Sequence, residues 1–375
     1  DEFLWDYSDI AVTRTRNAGF KLLGVLSWPQ NTRYRRDWTT HERNHWLHRQ
    51  WGTDEKQHQP VEFLPTGLFY DPEFRKMWLN YVSNVVSHYK DSIQYWELLN
   101  EPYVDGSAKR AADIYQHTVP VIKAANPDAV IVGPSTHMKP DWMKALLSYD
   151  TLDYIDIFSY HGYRLGSGQL QEVHRWAGSD GNQRRVFDTD NSALSSSMFM
   201  CRSCPGKDFS GYLEPAASAA RITRDLATAF GEGTSTYFFY WMVHYDAYIK
   251  HGSFLDHAGT LRAPAVAFAI TGWMLADLKP VSAPVVDREI KSYLFNNGPD
   301  SRAVAVLWST GTTPVDYRTL RLAGNTRLFD ILGNPIDASE TTHPATSQAG
   351  MPVYVMSDSL GELESAIGRV RVRNP

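Results

Sequence analysis

The chain of 375 residues, 43% apolar and 21% charged, is long enough for two or three domains or one large barrel with an attachment, and this composition excludes a disordered chain or a coiled coil. Its 37 basic and 42 acidic residues give a net charge of −5, which argues against a nucleic-acid binder and a polybasic membrane-surface protein. Aromatic residues make up 13% of the chain, more than a core alone requires, so some are expected to line a groove.

In chain order, residues 9–17 read as a helix leading through Gly19 into the first of six apolar, strand-like runs. These runs lie at 21–28, 93–101, 129–135, 154–163, 185–192 and 235–243. The clearest helix separates the first two: Asp71 can cap it, Pro72 suits its first turn, and Phe74, Met77, Trp78, Tyr81, Val82, Val85 and Tyr89 recur at three-to-four spacing. Further helices are expected at 108–125 (bent at Pro120), 140–149, 169–177, 215–230 and 264–276. Strands alternating with helices define a parallel α/β fold, here two strands short of an eight-stranded barrel. Beyond about Pro280, short β-type runs at 291–296, 303–309, 318–322, 326–330 and 351–356 suggest a small antiparallel sandwich. The expected organisation is a barrel domain over 1–280 and a β-sandwich over 281–375.

Active sites of parallel barrels are built at the carboxyl ends of the strands. Here those ends carry Trp28, then Asn100 and Glu101, then Ser159, His161 and Tyr163, then Asp188 and Asp190, and finally Trp241 and His244. Period-two alternation puts Asp188 and Asp190 on one face of their strand. Carboxyls on two different strands suit glycoside hydrolysis, which needs a proton donor for the leaving oxygen and a second group at the anomeric carbon. Taken singly, each has a bland reading: Trp241 as core, His161 as a satisfied histidine, Asp188 as a structural acceptor. Cys201 and Cys204 form a lone Cys-x-x-Cys; zinc would need two more ligands, so a local disulfide or two free thiols are the simpler readings. No cofactor and no metal are expected.

The segment Trp96-Glu97-Leu98-Leu99-Asn100-Glu101-Pro102 resembles the acid/base motif that ends the fourth strand in clan GH-A glycoside hydrolases, with family 39 and the cellulase-like families nearest in character. The resemblance spans about residues 5–280 and the trailing β-sandwich. It implies a (β/α)8 TIM-type barrel whose Glu101 is the general acid/base and whose Asn100 donates to a sugar 2-hydroxyl. By the same match His161 and Tyr163 are the polar residues after strand six, and Trp241 is the aromatic platform after strand eight. Trp28, His244 and Asp188 are further candidates for substrate binding. The six runs then become strands three to eight, and an N-terminal fragment of a longer precursor or a second chain is expected to complete the barrel.

In Phe187-Asp188-Thr189-Asp190-Asn191, Asp190 stands where the clan has a nucleophilic Glu after Thr. The shorter arm retracts the carboxylate by roughly 1 to 1.5 Å, from the roughly 5 to 5.5 Å separation of retaining enzymes toward the lower edge of the inverting range. Three readings follow: a backbone shift that restores attack, water activation by Asp190, or a non-catalytic carbohydrate-binding pseudoenzyme. The substrate is expected to be an oligo- or polysaccharide, and the protein secreted or periplasmic. Glu101 is expected to have a raised pKa from burial near another carboxylate. The long segment 29–60 places Trp38, Trp46 and Trp51 among several arginines, a wall suited to an anionic sugar or simply a packed insertion.

Overall fold

The computed structural model describes residues 3–26, 69–70, 72–105, 107–163, 165–191, 215–240, 254–255, 259–282, 287–298, 301–320, 322, 324–338 and 350–372. The expected alternation is present: α1 (Asp6–Asn17), β1 (Leu23–Leu26), α2 (Pro72–Tyr89), β2 (Tyr95–Leu98), a single turn α3 (Pro102–Asp105), α4 (Ala108–Ala125), β3 (Val130–Thr136), α5 (Pro140–Leu147), β4 (Ile157–Tyr160), α6 (Ser167–Ala177), β5 (Arg185–Asn191), α7 (Pro215–Gly231), β6 (Thr236–Phe239) and α8 (Ala263–Leu275). Each strand coincides with one of the six predicted runs, β3 extending one residue past its run to Thr136. They form one sheet in the order β1-β2-β3-β4-β5-β6, and the registers of β1 through β4 are parallel, with Val25 opposite Glu97 and Glu97 opposite Val132. All four residues of β4 are buried, Ser159 among them, as in a strand covered on both faces.

By its contacts the chain divides into two compact units, Asp1–His161 with Val173–Phe187, and Gly162–Glu172 with Asp188–Pro375. In the first, α2 buries Phe74, Trp78, Val82 and Tyr89 of the predicted stripe, leaves Met77, Tyr81 and Val85 half-buried and buries Val86 in addition, and Trp78 Nε1 donates to Thr118 Oγ1 of α4 at 2.9 Å. Ser107 caps α4 by accepting from the Arg110 N–H, and the helix runs on through Pro120. Tyr115 of α4 reaches β2, donating its hydroxyl to the Leu98 carbonyl at 2.9 Å. The same ring explains Gly133 in β3, where a Cβ would lie 2.1 Å from the Tyr115 hydroxyl.

In the second unit, the change of texture near Pro280 coincides with β7 (Lys279–Val281), followed by β8 (Ile290–Asn296), β9 (Ala303–Ser309), β10 (Val315–Asp316), β11 (Arg327–Phe329), β12 (Val353–Ser357), α9 (Leu360–Ile367) and β13 (Arg371–Val372). Five of these strands make an antiparallel sheet in the order β11-β12-β9-β8-β7, and β10 pairs with β13. Strict alternation sorts the side chains of the larger sheet. Leu294, Ala305, Leu307, Val353 and Val355 pack with Leu363 and Ile367 of α9 and with Val315 of β10. Tyr293, Phe295, Val304, Val306, Trp308 and Tyr354 pack with Ala227 of α7 and with Met274 and Leu275 of α8.

The strand expected at 318–322 is instead a 3-10 turn, Tyr317–Thr319. The Asp316 carboxylate accepts the Arg318 N–H at 3.1 Å and pairs with its guanidinium, so a local side chain takes the donor a ladder would need. The strands β7, β10 and β13 and the helices α3 and α9 were not foreseen. No helix among the described residues is long and apolar enough to cross a membrane.

Candidate active site

In the first unit the end of β2 turns sharply. Leu99 (φ 69°) and Glu101 (φ 47°) both sit in the left-handed region, which costs a non-glycine residue roughly 1 kcal/mol or more. The turn is held from both sides, by Leu99 N–H donating to the Leu26 carbonyl and Glu101 N–H to the Ser135 carbonyl, each at 3.0 Å. Asn100, between them, is exposed.

The Glu101 carboxylate meets two imidazoles. His161 Nδ1 lies 2.8 Å and His137 Nε2 3.2 Å from the same oxygen, Oε1. His161 is fully buried, whereas the side chains of His137 and Glu101 are each 25% exposed. On its other nitrogen, Nε2, His161 meets Ser135 Oγ at 2.9 Å; the Ser135 N–H donates to Ser159 Oγ at 3.0 Å, and the Ser159 hydroxyl donates to Glu97 at 2.9 Å. A continuous polar chain thus links β2, β3 and β4. Serine, imidazole and carboxylate follow one another as in a nucleophilic triad, but Ser135 is fully buried, so its hydroxyl orients the ring instead of attacking a substrate. Tyr103 stands edge-on to His137 and to Trp142, an aromatic flank beside the carboxylate.

Burial pushes the Glu101 carboxyl upward, but the hydrogen bonds and charges of His137 and His161 outweigh it and hold the pKa at about 2. The expected rise is therefore reversed. Its premise was a neighbouring carboxylate, and the neighbours that the structure supplies are imidazoles, which favour the ionised form.

In the second unit, Asp188 and Asp190 have different surroundings. Asp188 is almost fully buried, accepting the Gly162 N–H at 2.9 Å on one oxygen and an Asn191 side-chain N–H at 2.7 Å on the other. A Cβ on Gly162 would lie 2.0 Å from the Asp188 carboxylate, so only glycine fits there. Asp190 is half-buried and accepts a hydrogen bond from the Tyr163 hydroxyl. Among the residues singled out from sequence, the fold therefore joins Glu101 to His161 and Asp190 to Tyr163. Trp28, Trp241, His244, Cys201, Cys204 and the aromatic segment 29–60 lie outside the described residues.

Sequence reasoning missed His137, Ser135 and Glu97. A signal existed for His137: it directly follows Thr136 at the end of β3, the kind of position at which the other candidates were found.

No family model matches the chain, and no curated protein matches it. Among solved structures it is similar to a family 39 glycoside hydrolase from the gut symbiont Bacteroides cellulosilyticus WH2, with a TM-score of 0.59 at 16% identity over 76% of this chain. The chain spans 62% of the length of that enzyme. It is also similar to a glucosidase from Croceicoccus marinus (TM-score 0.53, 15% identity, 92% of this chain and 69% of that one). A monomeric beta-xylosidase from Caulobacter crescentus CB15 gives a TM-score of 0.51 at 14% identity, covering 76% of this chain and 75% of that one. At these identities the likeness is one of fold, and it sets the six-stranded parallel sheet among the barrel-type folds of glycoside hydrolases.

Proposed function

We propose that this chain is a glycoside hydrolase that cleaves O-glycosidic bonds in an oligo- or polysaccharide, with Glu101 as general acid/base and Asp190 as nucleophile. The observation that carries the reading is the Glu101 carboxylate, set at a strand end and hydrogen-bonded through one oxygen to two imidazoles. The bond between Tyr163 and Asp190 supports the second role, because a phenol donor holds a carboxylate ionised and oriented for attack.

In the first step Asp190 attacks the anomeric carbon, the bond from that carbon to the leaving oxygen breaks, and the leaving oxygen takes a proton through Glu101. In the second, Glu101 removes a proton from water, which attacks the glycosyl ester and frees Asp190; the anomeric configuration is retained. With a pKa of about 2, Glu101 is protonated in only about one molecule in a thousand at pH 5. The proton for the first step therefore reaches Glu101 along its hydrogen bonds with His137 and His161.

The ionised state of Glu101 also favours a second reading, a carbohydrate-binding protein without turnover. Hydrolysis of a panel of aryl glycosides and unactivated disaccharides separates the two. Turnover that Glu101→Gln abolishes on disaccharides but spares more on aryl glycosides with good leaving groups supports the first reading; binding of the same sugars with no turnover refutes it. NMR of the first-formed anomer tests the role of Asp190, since inverted product would make it a general base for water.

A further inference from the structure

We infer that Glu101, His137 and His161 form a binding site for a divalent transition metal of the zinc type, through Glu101 Oε1, His137 Nε2 and His161 Nδ1. These three atoms lie within 4.8 Å of one another, and the two separations from Oε1 are 2.8 and 3.2 Å. A tetrahedral zinc with bonds of about 2.0 to 2.1 Å spaces adjacent ligand atoms by about 3.3 to 3.4 Å. The site approaches that geometry by opening the contact between His161 and Glu101 by roughly half an ångström and by bringing the two imidazole nitrogens, at most 4.8 Å apart, to the same spacing.

The donor set, two imidazoles and one carboxylate, is that of catalytic zinc sites with an open fourth position. Partial exposure of Glu101 and His137 leaves that position to water, while His161 forms the buried wall. The surroundings also fit. A metal-bound imidazole is oriented by an acceptor on its rear nitrogen, and Ser135 Oγ holds that place 2.9 Å from His161 Nε2. Ser135 is itself fixed by its N–H to Ser159 Oγ, and the His161 N–H is pinned to the Thr136 carbonyl at 3.0 Å. By contrast, His88 and Asp9 also pair closely, at 2.7 Å, but belong to no such three-residue cluster among the described residues.

The test uses the full chain, dialysed against a chelator and transferred to chelator-free buffer. Zn2+ is titrated by calorimetry, and Co2+ by visible absorption. The parent should take up one equivalent more than Glu101→Gln or His137→Ala, and Ser135→Ala should keep that equivalent with affinity weakened about tenfold or more. Other histidines contribute equally to parent and variants, so the difference isolates this site, and His88→Gln should match the parent. In the parent, the imidazole 15N signals of His137 and His161 should shift with one equivalent of Zn2+, a readout that does not depend on any variant folding. Equal stoichiometry and affinity in parent, Glu101→Gln and His137→Ala, or imidazole signals unmoved at saturating Zn2+, would overturn the site. One consequence rests on the proposed function: Glu101 Oε1 cannot hold an ion and a proton together, so Zn2+ should suppress turnover. Failure to find any turnover would refute that function and leave the binding result standing.

Discussion

Glu101→Gln removes a charge whose worth to the fold can be worked from its surroundings. In the folded chain the two imidazoles hold the carboxyl at about 2 against an ordinary value of 4.5, a difference worth about 3 kcal/mol at roughly 1.4 kcal/mol per pH unit. Because the folded pKa lies below the unfolded one, this stabilisation is complete above about 4.5 and is lost as pH falls from there toward 2. Glutamine keeps the shape and cannot titrate. The stability of the parent minus that of Glu101→Gln should therefore fall by about 3 kcal/mol between pH 5 and pH 2, measured by urea unfolding at each pH. Other acidic groups titrate in both proteins and cancel in the difference. A difference flat across this range, or a 13C-carboxyl NMR titration placing Glu101 at 4.5 or above, would refute the assignment of the two imidazoles as its partners.

His137→Ala removes one of the two donors and should raise the Glu101 pKa by about one unit, visible in the same carboxyl titration and, if the proposed acid role holds, as an upward shift of the alkaline limb of the rate profile. Gly162→Ala forces a methyl group against the Asp188 carboxylate and should cost about 1 to 3 kcal/mol in thermal or urea unfolding. Asp188→Ala leaves the Gly162 N–H and the Asn191 amide without that acceptor, with a loss of roughly 2 to 3 kcal/mol. Tyr163→Phe should lower kcat with little change in stability, and Asp190→Ala should be rescued by azide to a glycosyl azide of inverted configuration if Asp190 attacks carbon.

The six parallel strands were legible because a strand buried on both faces writes itself as a short apolar run, as in Ile157–Tyr160. The helix Pro72–Tyr89 was legible because its stripe and its first-turn proline agree. The helix Leu360–Ile367 was just as readable and went unread: Ser359 and Glu362 form a Ser-x-x-Glu start, and Ser359 Oγ accepts the Glu362 N–H at 3.3 Å. Sequence position flagged Glu101 but not its electrostatics. The groups that set its pKa come from residues 36 and 60 positions away, and only the parallel register of β2, β3 and β4 makes them neighbours. The turn at Tyr317–Thr319 failed for the opposite reason, since a single local bond from Asp316 overrode a strand-like composition.

The antiparallel sheet near the carboxyl end also has a bearing on how such a chain can be shuffled. Its β8, β9 and β12 present Tyr293, Phe295, Val304, Val306, Trp308 and Tyr354 to α7 and α8, and Tyr354 shares a buried hydroxyl contact of 2.6 Å with Thr271 of α8. A recombination breakpoint near residue 280, natural to choose from the change in texture, would pair this aromatic face with foreign helices. Each large ring that lost its fit there would cost on the order of 3 to 5 kcal/mol, and two would equal the whole margin of a typical domain. The smallest segment that can be exchanged between relatives as one piece therefore begins before α7, so the last two helices of the parallel half and the antiparallel sheet are inherited together.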